Sequence, residues 1–321
     1  MKIKILVLGF SRIFQKRVFP ALKKNSIIES IFVASVSKKI PDDILIEKKF
    51  NNYDEAINNF DGGYIYVSLS NNLHDEYVLK SLKSGFNVIV DKPAIIYEKT
   101  LDEINLLVNS SNLSIFESSV FSYHPVFKYL KKVIKENEIN KIFSFFKIPL
   151  INNKDFRFQN IPGSGAEYDM SVYSLGFFNS LMDENVENIE LLNMTKLGNI
   201  TKSFDLKIKS KSGINFYGFY GFDSEYEHSV FIIGKNIKIR FERIFSLPSD
   251  IKLVVTITKE NKVSEKIFLE TDIFSNFFNH ILNSNDSNLK NNSLKTINLN
   301  FNNLKILKSK INDYEKNNFK N

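Results

Sequence analysis

The opening of the chain restricts its fold more than any other stretch. Ile3-Lys4-Ile5-Leu6-Val7-Leu8 reads as an apolar strand interrupted only by Lys4, and Gly9 ends it. Phe10, Ile13, Phe14, Val18, Ala21 and Leu22 then recur at helical spacing. Strand, glycine turn and helix make a dinucleotide-binding opening, in which helix N-terminal amides face a pyrophosphate. The G-x-G-x-x-G/A pattern of such openings reads here as Gly9-Phe10-Ser11-Arg12-Ile13-Phe14. Ser11 stands where a second glycine lets the backbone approach phosphate, and its hydroxyl offers that phosphate a hydrogen bond instead. Phe14 stands where a small residue lets the helix lie close to the sheet, and nothing local accommodates it.

The next segments repeat the alternation. Ile31–Ser35, Tyr64–Ser70, Phe86–Val90 and Leu113–Ser118 read as strands. A helix from His74 to about Ser84 stops at Gly85, and Thr100 with Glu103 makes a capping box for another. Alternating strands and helices imply an α/β fold with a doubly wound parallel sheet, and ligands bind beyond the carboxyl ends of its strands. Gly9, Ser35, Ser70 and Lys92 fall at those ends. After the second strand come Ser37, Lys38 and Lys39, with no acid to hold a ribose 2′-hydroxyl. Serines and lysines suit a 2′-phosphate, so NADP(H) is preferred over NAD(H). A plain basic turn accounts for the same residues. Lys92, held extended before Pro93, is placed to polarise a carbonyl or to lower a neighbour's pKa. A solvated lysine at a strand exit is the simpler alternative.

Composition sets limits on the rest. With 321 residues the chain has room for two ordinary domains. It has no cysteine, which excludes disulfides, thiolate metal sites and a cysteine nucleophile and fits a cytoplasmic protein. No metal site is expected. The net charge is +7, with lysines spread along the chain, a surface tolerant of nucleotides and sugar phosphates. No nucleic-acid motif supports a nucleic-acid partner. The first apolar run is too short for a signal peptide and is followed by Arg12, Lys16 and Arg17. No stretch is apolar enough to span a membrane.

The second part of the chain changes character near residue 119, so the domains are expected at 1–118 and 119–321. His124 and Pro125 open a helix. Strands are expected near 141–149, 187–197, 202–209, 213–222, 228–234, 236–245, 251–258 and 263–269, in a large, mainly antiparallel sheet of an α+β domain. In Ile214–Phe222 both strand faces are apolar or aromatic, so both are expected to be covered, one of them by a second subunit. This predicts a homodimer or homotetramer assembled through the sheet. An Asn/Ser-rich loop is expected at 283–293, a last helix from about Asn302 to Asp313, and a frayed tail. Residues 161–176 form the other informative stretch. Gly163 and Gly165 flank Ser164 in a tight turn, and a helical run follows in which Asp169 and Tyr173 are four apart and share a face. A carboxylate and a phenol at the mouth of a turn suit proton transfer, although a surface turn and helix account for them too.

These residues resemble the glucose–fructose oxidoreductase, inositol dehydrogenase and MocA (Gfo/Idh/MocA) family over nearly the whole chain. Residues 5–22 look like its opening, Asp91-Lys92-Pro93 like its Glu-Lys-Pro signature, and residues 163–173 like its glycine cluster followed by Asp and then His or Tyr. A narrower likeness to the sugar-nucleotide C3-ketoreductases of deoxysugar pathways is carried by Gly9–Ile13, Lys16-Arg17, Glu117, Phe121, His124-Pro125, Asp155–Phe158 and Asp223–His228. Departures are Ser11, Phe14, Asp91 for Glu, Ser68 and Ser70 for proline, Glu167 for an apolar residue and Ser171 for glycine.

The resemblance implies an NADP(H)-dependent oxidoreductase reducing a ketone on a nucleotide-linked sugar, with Tyr173 as proton donor and Lys92 and Asp169 beside it. It implies cofactor contacts from Gly9, Phe10, Ser11, Arg12, Ile13, Ser35, Ser37, Lys38, Ser68, Leu69, Ser70, His74, Asp91 and Lys92. Phe121, His124, Arg157, Asp169, Tyr173 and Tyr226 are the implied substrate contacts. A dehydrogenase of free sugars, polyols or cyclic diols, and a non-catalytic sugar- or nucleotide-binding protein, are the alternatives.

Overall fold

The computed structural model describes residues 2–149, 155–222, 224–283 and 288–318. Asp223, part of the expected Asn/Ser-rich loop and the end of the tail lie outside them. The chain divides into two compact units, Met1–Ser119 with Phe274–Asn298, and Val120–Ile273 with Leu299–Asn321. The stretch Phe274–Asn298, which the sequence places with the second domain, thus makes its contacts in the first unit.

The first unit holds six parallel strands, β1 (Ile3–Leu8), β2 (Ile28–Ala34), β3 (Ile46–Phe50), β4 (Tyr64–Val67), β5 (Asn87–Val90) and β6 (Ile115–Glu117). Their order is β3-β2-β1-β4-β5-β6, so the winding reverses between β1 and β4. The apolar run of β1 is buried from Ile5 to Leu8, as a strand covered on both faces requires. The sequence reading lacks β3 and the helix Tyr53–Asn58. β3 is an edge strand with Glu47, Lys48 and Lys49 exposed in a row, and that charge hides the strand while protecting the edge.

After Gly9 the helix is wound as a π-helix over Phe14–Val18, with Phe19 N–H bonded to Phe14 O, and then as an α-helix over Phe19–Lys24. Pro20 has no N–H for the carbonyl four residues back, and the widened turn lies directly before it. Phe14 is 0 % exposed and packs on Phe10, Phe19 and Tyr66 at centroid distances of 5.7, 5.8 and 6.4 Å. The large side chain is therefore accommodated by a local widening and an aromatic pocket rather than by close helix–sheet contact.

The capping box expected at Thr100 and Glu103 does not form. The helix Glu98–Ser110 begins two residues earlier than Thr100, and Glu103 instead meets Lys83 at 2.9 Å. The entering backbone is held by Asp75, whose carboxylate accepts from Ile96 N (2.9 Å) and Tyr97 N (3.1 Å).

The second unit is an eight-stranded mixed sheet. Its strands are β7 (Ile139–Lys147), β8 (Glu190–Leu197), β9 (Ile200–Lys209), β10 (Asn215–Gly221), β11 (Glu227–Gly234), β12 (Ile237–Glu242), β13 (Leu253–Lys259) and β14 (Lys262–Phe268). They lie in the order β14-β13-β12-β11-β7-β10-β9-β8, antiparallel except for β7 beside β10. Each expected strand is present. One face packs Ile142, Phe216, Leu206, Val230 and Ile239 into the core with the helices Val126–Glu136 and Phe177–Met182. The other face carries Phe143 stacked on Tyr217 at 5.0 Å and Phe145 on Phe219 at 4.5 Å, all half-exposed. The last helix spans Leu289–Asn318, starting well before the expected Asn302. Its early turns are rich in Asn and Lys, yet Leu294, Ile297 and Phe301 already lie on a buried stripe.

Candidate active site

In the first unit, Gly9, Ser35, Ser68–Ser70 and Asp91–Lys92 follow β1, β2, β4 and β5 at one sheet edge, around the reversal of strand order. Gly9 has φ +99°, and a Cβ there would come within 2.3 Å of Ser68 O, so only glycine fits against the β4 exit. Ser11 caps the following helix, its Oγ accepting from Phe14 N at 3.0 Å. The amides of Arg12 and Ile13 lie in the first turn of that helix, where no intrahelical acceptor exists for them. Phe10 O accepts from Gln15 Nε2 (3.0 Å) and from Lys38 Nζ (3.1 Å), and Ser35 Oγ accepts from Lys38 N (3.1 Å). Ser37 and Lys38 are exposed beside the glycine loop. Ser70 starts the helix Asn71–Lys83. A glycine turn, helix amides and basic side chains at the switch point of a parallel sheet fit a dinucleotide.

Asp91 is the hub behind this edge. It accepts from Tyr66 OH (2.5 Å), Ser68 Oγ (2.9 Å) and Ser118 Oγ (3.1 Å), and Ser68 Oγ also meets Ser11 Oγ at 2.8 Å. Burial, reinforced by the Asp91 carboxylate, pushes the Tyr66 phenol well above its ordinary pKa. The Lys92–Pro93 peptide is cis, and Lys92 is half-buried. His74 is 0 % exposed, with Nδ1 2.8 Å from Pro93 O and Nε2 3.1 Å from Leu69 O. The expected direct contact of His74 with a cofactor is therefore corrected. The ring lies between the β4 and β5 exits with one nitrogen facing each carbonyl, and no part of it reaches the surface.

In the second unit, Gly163 (φ +81°) and Gly165 (φ +95°) shape the expected turn. Gly165 N donates to Arg157 O at 2.9 Å, and Ser164 Oγ to Ile161 O at 2.6 Å. Arg157 joins two carboxylates, Nε to Asp169 Oδ2 at 3.1 Å and Nη1 to Asp155 Oδ1 at 2.9 Å. Burial works to lower the Arg157 pKa, but Asp169 and Asp155 together raise it above the ordinary value, so the guanidinium stays charged. The helix Ala166–Asp169 ends at Asp169, and a π-turn over Val172–Gly176 carries Tyr173. Asp169 and Tyr173 thus stand on two short segments rather than on one regular helix. The Tyr173 ring packs on Phe146 (5.0 Å), Phe245 (5.2 Å) and Phe121 (6.1 Å).

Two expected substrate contacts are corrected by burial. Phe121, 2 % exposed, packs against Tyr173, Phe127, Phe177 and Phe245 as a support for the tyrosine. His124 is also 2 % exposed, and its Nδ1 accepts from Val126 N at 3.1 Å, so the ring caps the helix that follows. Burial lowers its pKa to about 4, which leaves the ring neutral with its hydrogen on Nε2. Tyr226, by contrast, is 45 % exposed, its hydroxyl near Ser246 Oγ (3.0 Å) and His228 Nδ1 (3.3 Å). The Arg243 guanidinium, also exposed, lies 5.5 Å from the Tyr226 ring centroid. His228 accepts from Phe245 N through Nε2 at 3.0 Å, and burial, then Arg243, lowers its pKa to about 3. Arg243 and Tyr66 have no role assigned from the sequence, and His228 enters there only as the end of the Asp223–His228 likeness. Their partners lie far away in the chain, and no local pattern announces them. Among the described residues no group of three His, Asp or Glu is arranged to hold a metal ion, and no helix is long and apolar enough to cross a membrane.

Residues 3–112 match the oxidoreductase family profile GFO_IDH_MocA, NAD-binding Rossmann fold. The match makes the first unit an NAD(P)-binding Rossmann domain of the Gfo/Idh/MocA type. The chain is an NAD(P)-dependent oxidoreductase. The dTDP-3,4-didehydro-2,6-dideoxy-alpha-D-glucose 3-reductase of Actinomadura kijaniata is 22 % identical over 281 residues, 85 % of this chain and 84 % of that protein. The trans-1,2-dihydrobenzene-1,2-diol dehydrogenase of Xenopus tropicalis is 23 % identical over 153 residues, 44 % of each. Among solved structures, a variant 3-ketoreductase from Actinomadura kijaniata in complex with TDP-benzene and NADP superposes with a TM-score of 0.85 at 18 % identity, covering 96 % of this chain and 98 % of that one. That likeness establishes the shared fold.

Proposed function

We propose that this oxidoreductase reduces a ketone on a nucleotide-linked sugar with NADPH. The observation that carries the nucleotide-linked substrate is the exposed Tyr226–Arg243 pair. Ring-to-ring steps of 5.2, 5.0 and 6.3 Å lead from Tyr173 through Phe245 and His228 to Tyr226. A guanidinium over an exposed phenol suits a base and its phosphates, because rings stack on bases and Arg pairs with phosphate. The relative named above as a dTDP-sugar 3-reductase agrees with this choice.

The hydride is the chemistry that bound NADPH supplies. Arg12 and Ile13 amides are assigned to the pyrophosphate, with Gly9 letting the backbone approach. Ser37 and Lys38, at a β2 exit without an acid, are assigned to the 2′-phosphate. Tyr173 gives its phenolic proton to the developing alkoxide. A free phenol has a pKa of about 10, and a cation eases loss of its proton, the part assigned to Lys92. Asp169 holds Arg157 against the glycine turn and so sets the backbone that leads into Tyr173.

The assay is NADPH oxidation with a nucleotide-linked keto sugar, compared with a free keto sugar and with a cyclic diol run in reverse with NADP. Turnover of the nucleotide-linked substrate alone, inhibited by a nucleoside diphosphate, is the expected result. Turnover of only the free sugar or the diol refutes the substrate class, and no nucleotide cofactor binding at all supports the non-catalytic alternative.

We further propose that the chain dimerises through the aromatic face of the second sheet. Phe143, Phe145, Tyr217, Phe219 and Phe231 form a contiguous, half-exposed patch there, of the kind that marks an interaction surface. A two-fold pairing would place the patch on its own copy. Sedimentation at micromolar concentration should show a dimer or tetramer that Phe145→Glu dissociates, and a wild-type monomer would refute it.

A further inference from the structure

We propose that Ser11, Ser68, Asp91, Tyr66 and Ser118 form one positioning device, and that in this chain a serine at position 11 serves cofactor binding better than the glycine the fingerprint calls for. Each hydroxyl has one hydrogen to give. The Ser68 hydrogen goes to Asp91 Oδ2 at 2.9 Å. The 2.8 Å contact between Ser11 Oγ and Ser68 Oγ must then use the Ser11 hydrogen. Ser11 Oγ in turn accepts from Phe14 N at 3.0 Å. Donation thus runs one way, from Phe14 N–H to Ser11, to Ser68, to Asp91, while Tyr66 and Ser118 donate to the other Asp91 oxygen.

Two consequences follow. The Ser11 hydroxyl has no hydrogen left for a phosphate oxygen, so the direct phosphate bond expected from the sequence is withdrawn, and the helix amides take that part. The first turn of the helix is also tied to Asp91, the residue before Lys92, through two serines. Tyr66 anchors the far end, fully buried with its ring against Phe14 and Phe278 at 6.4 and 6.1 Å. The hydroxyl at 11 and the large ring at 14 are therefore parts of one arrangement. Ser11 caps the amide of Phe14, and the ring of Phe14 packs on the phenol that bonds Asp91.

The inference rests on the reading that this edge binds NAD(P), and it is tested by NADPH fluorescence titration of the full chain. Ser11→Gly brings the loop nearer the fingerprint, yet it removes a helix cap and the donor to Ser68. Its Kd for NADPH should rise about two- to tenfold, the size of the lost hydrogen bond to Ser68, since glycine replaces a serine cap at little cost of its own. Ser68→Ala should weaken binding similarly, and the double variant should be no weaker than the worse single one, because both break the same chain. Ser11→Thr keeps the hydroxyl and should restore the wild-type Kd, which a purely steric effect would not do. Wild-type or tighter binding by Ser11→Gly, or fully additive effects in the double variant, would overturn the device while leaving the cofactor reading intact. A wild-type chain that binds neither NADPH nor NADH would overturn both.

Discussion

Glu167 offers a measurement of stability that reads the glycine turn directly. Its carboxyl folds back over Gly165, where a Cβ would meet Oε2 at 2.3 Å, and Oε2 is buried with no hydrogen-bond partner among the described residues. Burial raises the Glu167 pKa from 4.5 to about 7, against the opposing effects of its own backbone N–H, the Thr201 hydroxyl and Lys308. The folded chain therefore keeps this proton at pH values where the unfolded chain has released it. Stability from this group is full below about pH 4.5, falls as pH rises toward 7, and levels off above that. Each pKa unit corresponds to about 1.4 kcal/mol, so the whole change is at most roughly 3 kcal/mol for this partly covered side chain. Glu167→Gln stays neutral at every pH. Its stability relative to wild type should increase between pH 4.5 and 8 by up to that amount, or roughly 6–12 °C in melting temperature. Thermal melts of both proteins across that range make the comparison. A difference between them that is constant with pH would refute the buried-carboxyl account.

Phe14→Ala places a small residue where the fingerprint has one, yet it empties the pocket between Phe10, Phe19 and Tyr66 and should cost about 3–5 kcal/mol in denaturant unfolding. Asp75→Ala leaves the amides of Ile96 and Tyr97 without their acceptor and should destabilise the first unit by about 2 kcal/mol or more, seen as faster amide exchange at the start of the helix Glu98–Ser110. Tyr173→Phe should lose most turnover while the NADPH Kd from fluorescence titration stays at the wild-type value. Lys92→Ala should lower kcat as well, and wild-type rates in both variants would refute the proposed roles.

The strands were legible because their signal is local. Each of the eight strands in the second sheet shows as an alternation or an apolar run within a few residues. β3 was hidden because its exposed edge position calls for charge, the opposite of what marks a strand. The long last helix was half hidden because only one residue in three or four of its first turns is apolar. In the site, Gly9, Gly163 and Gly165 were readable, since a left-handed backbone demands glycine. The misplacement of His74, His124 and Phe121 has a common cause. Sequence places a residue near a site, and only packing decides whether it faces the ligand or stands behind it.

By itself, then, the sequence determined the order of the elements apart from β3 and the helix Tyr53–Asn58, the strand exits at which Gly9, Ser35, Ser70 and Lys92 stand, and the turn before Tyr173. These depend on backbone preferences that act over a few residues. Only the tertiary structure decided what each side chain spends its hydrogen bonds on. Asp91 takes the hydroxyls of Tyr66, Ser68 and Ser118, Arg157 takes Asp169, and His74 lies between two strand exits. Buried polar groups must find partners wherever folding brings them, and those partners lie at distances along the chain that no local pattern encodes.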